Sequence, residues 1–183
     1  MSETRDDPES EEFLDEDAED DEDEEPPELA YVVFSAGVTQ ASAESLLDVL
    51  GRCANEGFAE VRLLLSTWGG SVSAGINLYN VLRAMPFRLV THNAGDVASI
   101  GVAIYVAGEE RLTCRNGASM LHGVTNTPPP NPPFGARWYR ETHDSILADE
   151  ARINAILAER TSLTAEQLAA HAETSERSMP RPP

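Results

Sequence analysis

The chain has 183 residues, 41% of them apolar, and a formal net charge of -19. That length suffices for one well-buried domain, and a charge of this sign opposes binding to nucleic-acid phosphate. The charge is concentrated at one end: Met1 to Leu29 holds seventeen of the 32 acidic residues against one of the 13 arginines, leaving the remainder at -3.

Residues 1–29 are too acidic and too poor in apolar side chains to form a core, and are expected to be a disordered arm. It reads as a solvating, self-repelling segment, or alternatively as an electrostatic gate or partner arm, with Phe13-Leu14 as a docking element. From Ala30 onward, short apolar strands alternate with helices. Ala30 to Ser35 reads as a strand, and Thr39 to Asn55 as a helix with Leu46, Leu47 and Leu50 on one face. Val61 to Ser66 reads as a buried strand. Ser71 to Met85 reads as a helix ended by Pro86, with Ile76, Tyr79 and Leu82 at helical spacing. Arg88 to Thr91 is expected as a strand and Val97 to Ala107 as an apolar helix. Arg111 to Cys114 and Ala118 to His122 read as short strands around the turn Arg115-Asn116-Gly117. Thr127 to Pro133 is a proline-rich loop, expected to be exposed and stiff. Phe134 to Arg160 reads as one long helix and Leu163 to Glu173 as a last one, capped by Thr164. The alternation implies an α/β fold with right-handed crossovers.

Cys53 and Cys114 are far apart in sequence and form no C-x-x-C pair, so neither zinc nor thiol redox chemistry is indicated, and no metal or cofactor is expected. The longest apolar stretch, Val97 to Ala107, is too short to span a membrane, and no signal peptide is evident. A reducing cytoplasm is the expected setting, without membrane or nucleic-acid partners.

Three segments carry candidate chemistry. Ser66-Thr67-Trp68-Gly69-Gly70-Ser71 follows a strand, and a double glycine there can turn backbone N–H groups into a cleft. Ser99 lies in Gly95-Asp96-Val97-Ala98-Ser99-Ile100-Gly101, where small neighbours allow a substrate backbone to approach the hydroxyl. Near a helix start, free N–H groups would face a developing oxyanion. His122 ends the apolar stretch Ala118-Ser119-Met120-Leu121. Singly, these residues also suit a helix cap, a strand-end histidine and an ordinary turn; their order is what points to nucleophilic catalysis. His92, in the strand entering the Ser99 turn, is the rival base. All 13 basic residues are arginine, which stays protonated, so a lysine general base is excluded.

From Ala30 to Glu176 the chain resembles the Clp protease proteolytic subunit family. The resemblance is carried by Ser66-Thr67-Trp68-Gly69-Gly70-Ser71-Val72-Ser73-Ala74-Gly75 with Tyr79, by the segment Gly95 to Gly101, by Ala107-Gly108, and by Met120-Leu121-His122. It implies a ClpP/crotonase-like fold of repeated strand-strand-helix units, with Phe134 to Arg160 as a protruding handle helix. It implies Ser99 as nucleophile, His122 as general base, and Gly70 and Ile100 as backbone oxyanion donors. It further implies a ring homo-oligomer, heptamer or double heptamer, that admits peptides or unfolded proteins and works with an ATP-dependent unfoldase or a second proteolytic subunit. The apolar positions Trp138, Ile146, Ile153 and Ile156 of the long helix are expected to serve that assembly.

The chain departs from the family pattern at four places. Trp68 stands where the family has proline. Gly123-Val124-Thr125-Asn126 and a proline run replace the usual glycine-rich strand after the histidine. The position of the family's catalytic Asp aligns with Ser175, flanked by Glu173 and Glu176, which become the candidates for a third member. The chain is C-terminally short, with a Pro-rich tail over 177–183 after a peptidase domain over 30–176. A catalytically weakened subunit acting in assembly or binding is therefore one alternative. A crotonase-type acyl-CoA enzyme, which shares the fold and a two-amide oxyanion hole, is the other.

Overall fold

A computed structural model describes residues 28–127, 130, 135–172 and 177–178. The acidic segment up to residue 27, most of the proline-rich loop and the end of the chain lie outside the described residues.

The first half of the fold is built from strand-helix units. Strand β1 (Leu29–Ser35) leads to α1 (Gln40–Asn55), whose start is fixed by a capping box: Ser42 N–H donates to Thr39 Oγ1 at 3.1 Å and Thr39 N–H to Ser42 Oγ at 2.9 Å. Strand β2 (Glu60–Thr67) buries every second residue, Val61, Leu63, Leu65 and Thr67, as a strand with one packed face must. Helix α2 (Val72–Ala84) is capped by the Ser71 hydroxyl, and its buried Ile76, Tyr79 and Leu82 match the helical spacing in the sequence. Leu50, Leu63, Leu65, Leu78 and Leu157 are fully buried in one cluster that joins β2 to the surrounding helices.

Strand β3 (Arg88–Ala98) is longer than its sequence suggests, and it absorbs the start of the expected helix over Val97 to Ala107. Val97 pairs with Thr67 of β2 and with Ser119 of the later strand, so sheet hydrogen bonds on both sides outweigh the small-residue pattern that reads as helix. Helix α3 is accordingly short, Gly101–Tyr105. Strands β4 (Glu110–Thr113) and β5 (Ala118–Leu121) do not form a hairpin around Arg115-Asn116-Gly117. Both run parallel to β3, β4 along Val90–Asn93 and β5 along Asp96–Ala98. The exchange occurs at the fully buried Asn93, whose Nδ2 donates to Ala118 O at 2.8 Å and whose Oδ1 accepts from Gly95 N–H at 3.1 Å.

The sheet order is β1-β2-β3-β5-β6, with β4 beside β3, and all pairs are parallel except β5 with β6 (Arg177–Ser178). On the outer face of the first strands, Arg88 bonds Glu60 and Glu110, and Arg62 bonds Glu60 at 2.7 Å. Arg62 and Arg88 hold the Glu60 carboxyl below its ordinary range by hydrogen bonding.

The long helix α4 (Ala136–Arg160) is followed by α5 (Ala165–Ala172), which Thr164 caps reciprocally with Gln167. Ile153, Ile156 and Leu157 turn into the core, so Ile153 and Ile156 are not free for assembly; Trp138 and Ile146 are half-buried, and Tyr139 and Leu147 are the large exposed apolar side chains of α4. Arg160 ties the C-terminal end down through bonds of 3.1 Å to Val106 O and Gly108 O, capping the carbonyls that follow α3. Among the described residues no helix is long and apolar enough to cross a membrane.

Candidate active site

Ser99 occupies the turn between β3 and α3. At φ +56° it is the one non-glycine residue at positive φ among the described residues. A β-carbon in this region is strained, and a serine there is held by its surroundings on a sharp strand-to-helix bend that projects the side chain. Two contacts hold it. Ser99 N–H donates to Met120 O at 2.8 Å, locking the bend to β5. Gly69, at φ +87°, passes so close that a β-carbon there would lie 2.7 Å from Ser99 Cβ. The double glycine is therefore required by close approach and backbone conformation together.

Gly70, at φ +144°, is pressed against Val38 in the loop between β1 and α1: a β-carbon would lie 2.2 Å from Val38 O. Val38 N–H donates to Gly69 O at 2.8 Å, and Ser71 N–H to Val38 O at 2.7 Å. This clasp presents Gly70 to a small, open cleft that Ser99, Ile100 and His122 also border. Val72, Leu121, Val124 and Ile153 supply apolar walls, and Glu150 enters from α4. Ile100 is buried, and its side chain lies against Gly75 of α2, where a β-carbon would meet Ile100 Cγ1 at 2.3 Å. Trp68, in place of a turn proline, is 73% exposed beside the double glycine.

His122 directly follows β5, two residues beyond the carbonyl that anchors Ser99. Its Nδ1 is 2.6 Å from Gly123 O. A carbonyl oxygen only accepts, so in the neutral ring the proton sits on Nδ1 and the Nε2 lone pair is available. A serine, a histidine, and the residues Gly70 and Ile100 thus border one cleft, the group types that nucleophilic acyl transfer uses.

The fold thus brings together Ser99, His122, Gly70 and Ile100. His92 lies earlier on β3, in register with Leu64 and Leu112, and does not line the cleft. Glu173, Ser175 and Glu176 lie outside the described residues. His143 is exposed on α4 beside Asp144. Ser71 is engaged as the α2 cap, and Ser119 Oγ accepts from Asn93 Nδ2 at 3.3 Å. Cys53 is buried and its thiol is pushed up by desolvation, which suits a packing role. Among the described residues no three His, Cys, Asp or Glu side chains cluster as metal ligands would.

Glu150 is the cleft residue that the motif reading passes over. It sits in Ala148-Asp149-Glu150-Ala151, a stretch of the long helix that carries no catalytic motif. The signal lies in its spacing, because Ile146, Glu150, Ile153 and Leu157 fall on one helical face, and that face packs inward.

The Clp protease family model matches residues 28–179, and the chain belongs to that family. Its curated relatives include the ATP-dependent Clp protease proteolytic subunit 3 of Rhizobium meliloti, 28% identical over 138 residues that cover 72% of this chain and 67% of the relative. The ATP-dependent Clp protease proteolytic subunit 2 of Pseudomonas aeruginosa is 26% identical over 148 residues, covering 78% and 70% respectively. Among solved structures, a mutant of ClpP1 from Listeria monocytogenes superposes with a TM-score of 0.69 at 22% identity, covering 81% of this chain and 80% of that one. The α/β architecture expected from the motifs is therefore the observed one, and the family supports a peptidase role.

Proposed function

We propose that the protein is a serine-type endopeptidase in which Ser99 is the nucleophile and His122 its general base. The observation that carries this reading is the pairing in one cleft of a serine held at positive φ with a histidine whose Nδ1 proton is already committed to Gly123 O. In the first step His122 Nε2 takes the Ser99 hydroxyl proton as Oγ attacks a peptide carbonyl. Gly70 and Ile100 N–H stabilise the negative oxygen of the tetrahedral intermediate. The intermediate collapses as His122 passes the proton to the leaving amine, and water then releases the acyl chain by the same route. The apolar walls formed by Val72, Val124 and Ile153 favour an apolar residue beside the scissile bond.

Family membership favours peptide hydrolysis over acyl-CoA chemistry on this fold. The peptidase domain is assigned to residues 30–176, and the working form to a cytoplasmic ring that encloses the clefts and is fed by an ATP-dependent unfoldase or shared with a second proteolytic subunit.

The test is reaction of the full-length protein with a fluorophosphonate probe followed by mapping of the labelled residue. Labelling is expected on Ser99 and is expected to vanish in Ser99→Ala. Labelling of Ser71 or Ser119 in its place would overturn the assignment.

A further inference from the structure

The peptide unit joining Gly123 and Val124 is engaged at both ends. Its carbonyl oxygen accepts the His122 Nδ1 proton at 2.6 Å, and its N–H donates to Glu150 Oε1 at 3.1 Å. The two bonds share one planar, resonance-coupled amide, so an anion at the N–H draws further negative charge onto the oxygen that faces the imidazole. We infer that Glu150 is a positioning residue that orients and polarises His122 through this single peptide unit, doing by relay what a carboxylate does by direct contact in a Ser-His-acid triad. The inference rests on the peptidase reading above.

Three further observations support it. Glu150 and His122 are the titratable side chains that line the cleft, so the carboxylate borders the same cleft as the imidazole. Among the described residues Glu150 has no cationic partner, whereas its neighbour Asp149 pairs with Arg152 at 3.3 Å. Its backbone is also held: Ile153 and Leu157 are buried one and two turns further on, and Arg160 bonds Val106 O and Gly108 O. A carboxylate on a docked helix can fix the Gly123–Val124 segment, which otherwise leads into a proline-rich loop.

The physical consequence is twofold. Holding the carbonyl against Nδ1 keeps the ring in the tautomer that leaves Nε2 free, and the anion favours the imidazolium that forms during attack.

Glu150→Gln and Glu150→Ala separate these effects. Glutamine retains an acceptor for the Val124 N–H and loses the charge; alanine loses both. The measurements, on the full-length protein, are the fluorophosphonate labelling rate of Ser99 against pH and the ring nitrogen shifts of His122 by NMR. Glu150→Gln is expected to slow labelling about tenfold, as loss of one charge-assisted bond acting at a distance implies, and to move the His122 ring nitrogen shifts while leaving thermal unfolding unchanged. Glu150→Ala is expected to slow it further and to raise the fraction of rings protonated on Nε2. If Glu150→Gln matches wild type in both labelling rate and His122 ring nitrogen shifts, the relay is refuted and Glu150 only packs α4 against the loop. Should the alanine variant fail to fold, the near-isosteric glutamine variant still decides. Absence of labelling in the wild-type protein would remove the peptidase reading instead, and the His122 shifts would then decide the relay by themselves.

Discussion

Ser99 concentrates the cost of the site in one residue. An L side chain at φ +56° is strained by about 1–2 kcal/mol, and glycine at such a position is not. Both Ser99→Ala and Ser99→Gly remove the hydroxyl, so they separate strain from chemistry. Ser99→Gly is expected to exceed Ser99→Ala in stability by about 1 kcal/mol in denaturant titration. Equal stability would mean that the bend relaxes in the variants and is not imposed by Gly69 and Met120. The neighbouring glycines act in the opposite sense, since Gly69 and Gly70 lie where any β-carbon would collide with Ser99 or Val38.

At the scale of elements, the decisive feature is that β3 exchanges partners half-way along its length. Asn93 makes this possible by satisfying Gly95 N–H and Ala118 O where β4 gives way to β5. Asn93→Ala removes two hydrogen bonds made by a fully buried side chain, to Gly95 N–H and Ala118 O, and is expected to cost about 1–3 kcal/mol of stability. Because β5 carries the Ser99 anchor at Met120 and ends beside His122, the same substitution is expected to slow Ser99 labelling. A variant with lowered denaturation midpoint and unchanged labelling would show that β5 keeps its register without Asn93. The helix expected over Val97 to Ala107 fails for a related reason. Val97 and Ala98 are small and apolar, a pattern shared by buried helices and buried strands, and only the flanking strands decide between them.

For the molecule as a whole, α4 is the element whose exposed side chains remain to be accounted for. Ile153 and Ile156 are used in the chain's own core, whereas Tyr139 and Leu147 are 57% and 50% exposed, and the ring proposal sets them against other subunits. Under the ring proposal, light scattering is expected to give a mass several-fold above the 19.8 kDa chain. The double variant Tyr139→Asp with Leu147→Asp is expected to shift the population to smaller species while the fold, read by circular dichroism, is retained. A monomeric wild-type protein at micromolar concentration would refute the ring.

Much of this was legible in residue order. Helical spacing marked α1 and α2, because burial of one face leaves a period of 3.6 in any sequence, and short apolar runs marked β1 and β2. The double glycine, the small-residue turn around Ser99 and the histidine after β5 were legible as motifs, since close backbone approach leaves few residue types open. The partner exchange of β3, the inward turn of Ile153 and Ile156, and the junction of Glu150 with the Gly123–Val124 peptide were not. Each depends on contacts between segments distant in the chain, Asn93 with Ala118 and Val124 with Glu150 among them, and local pattern carries no record of which distant group will meet a given amide. Local chemistry therefore named the candidate side chains, and long-range packing alone decided which carboxylate meets the Gly123–Val124 peptide.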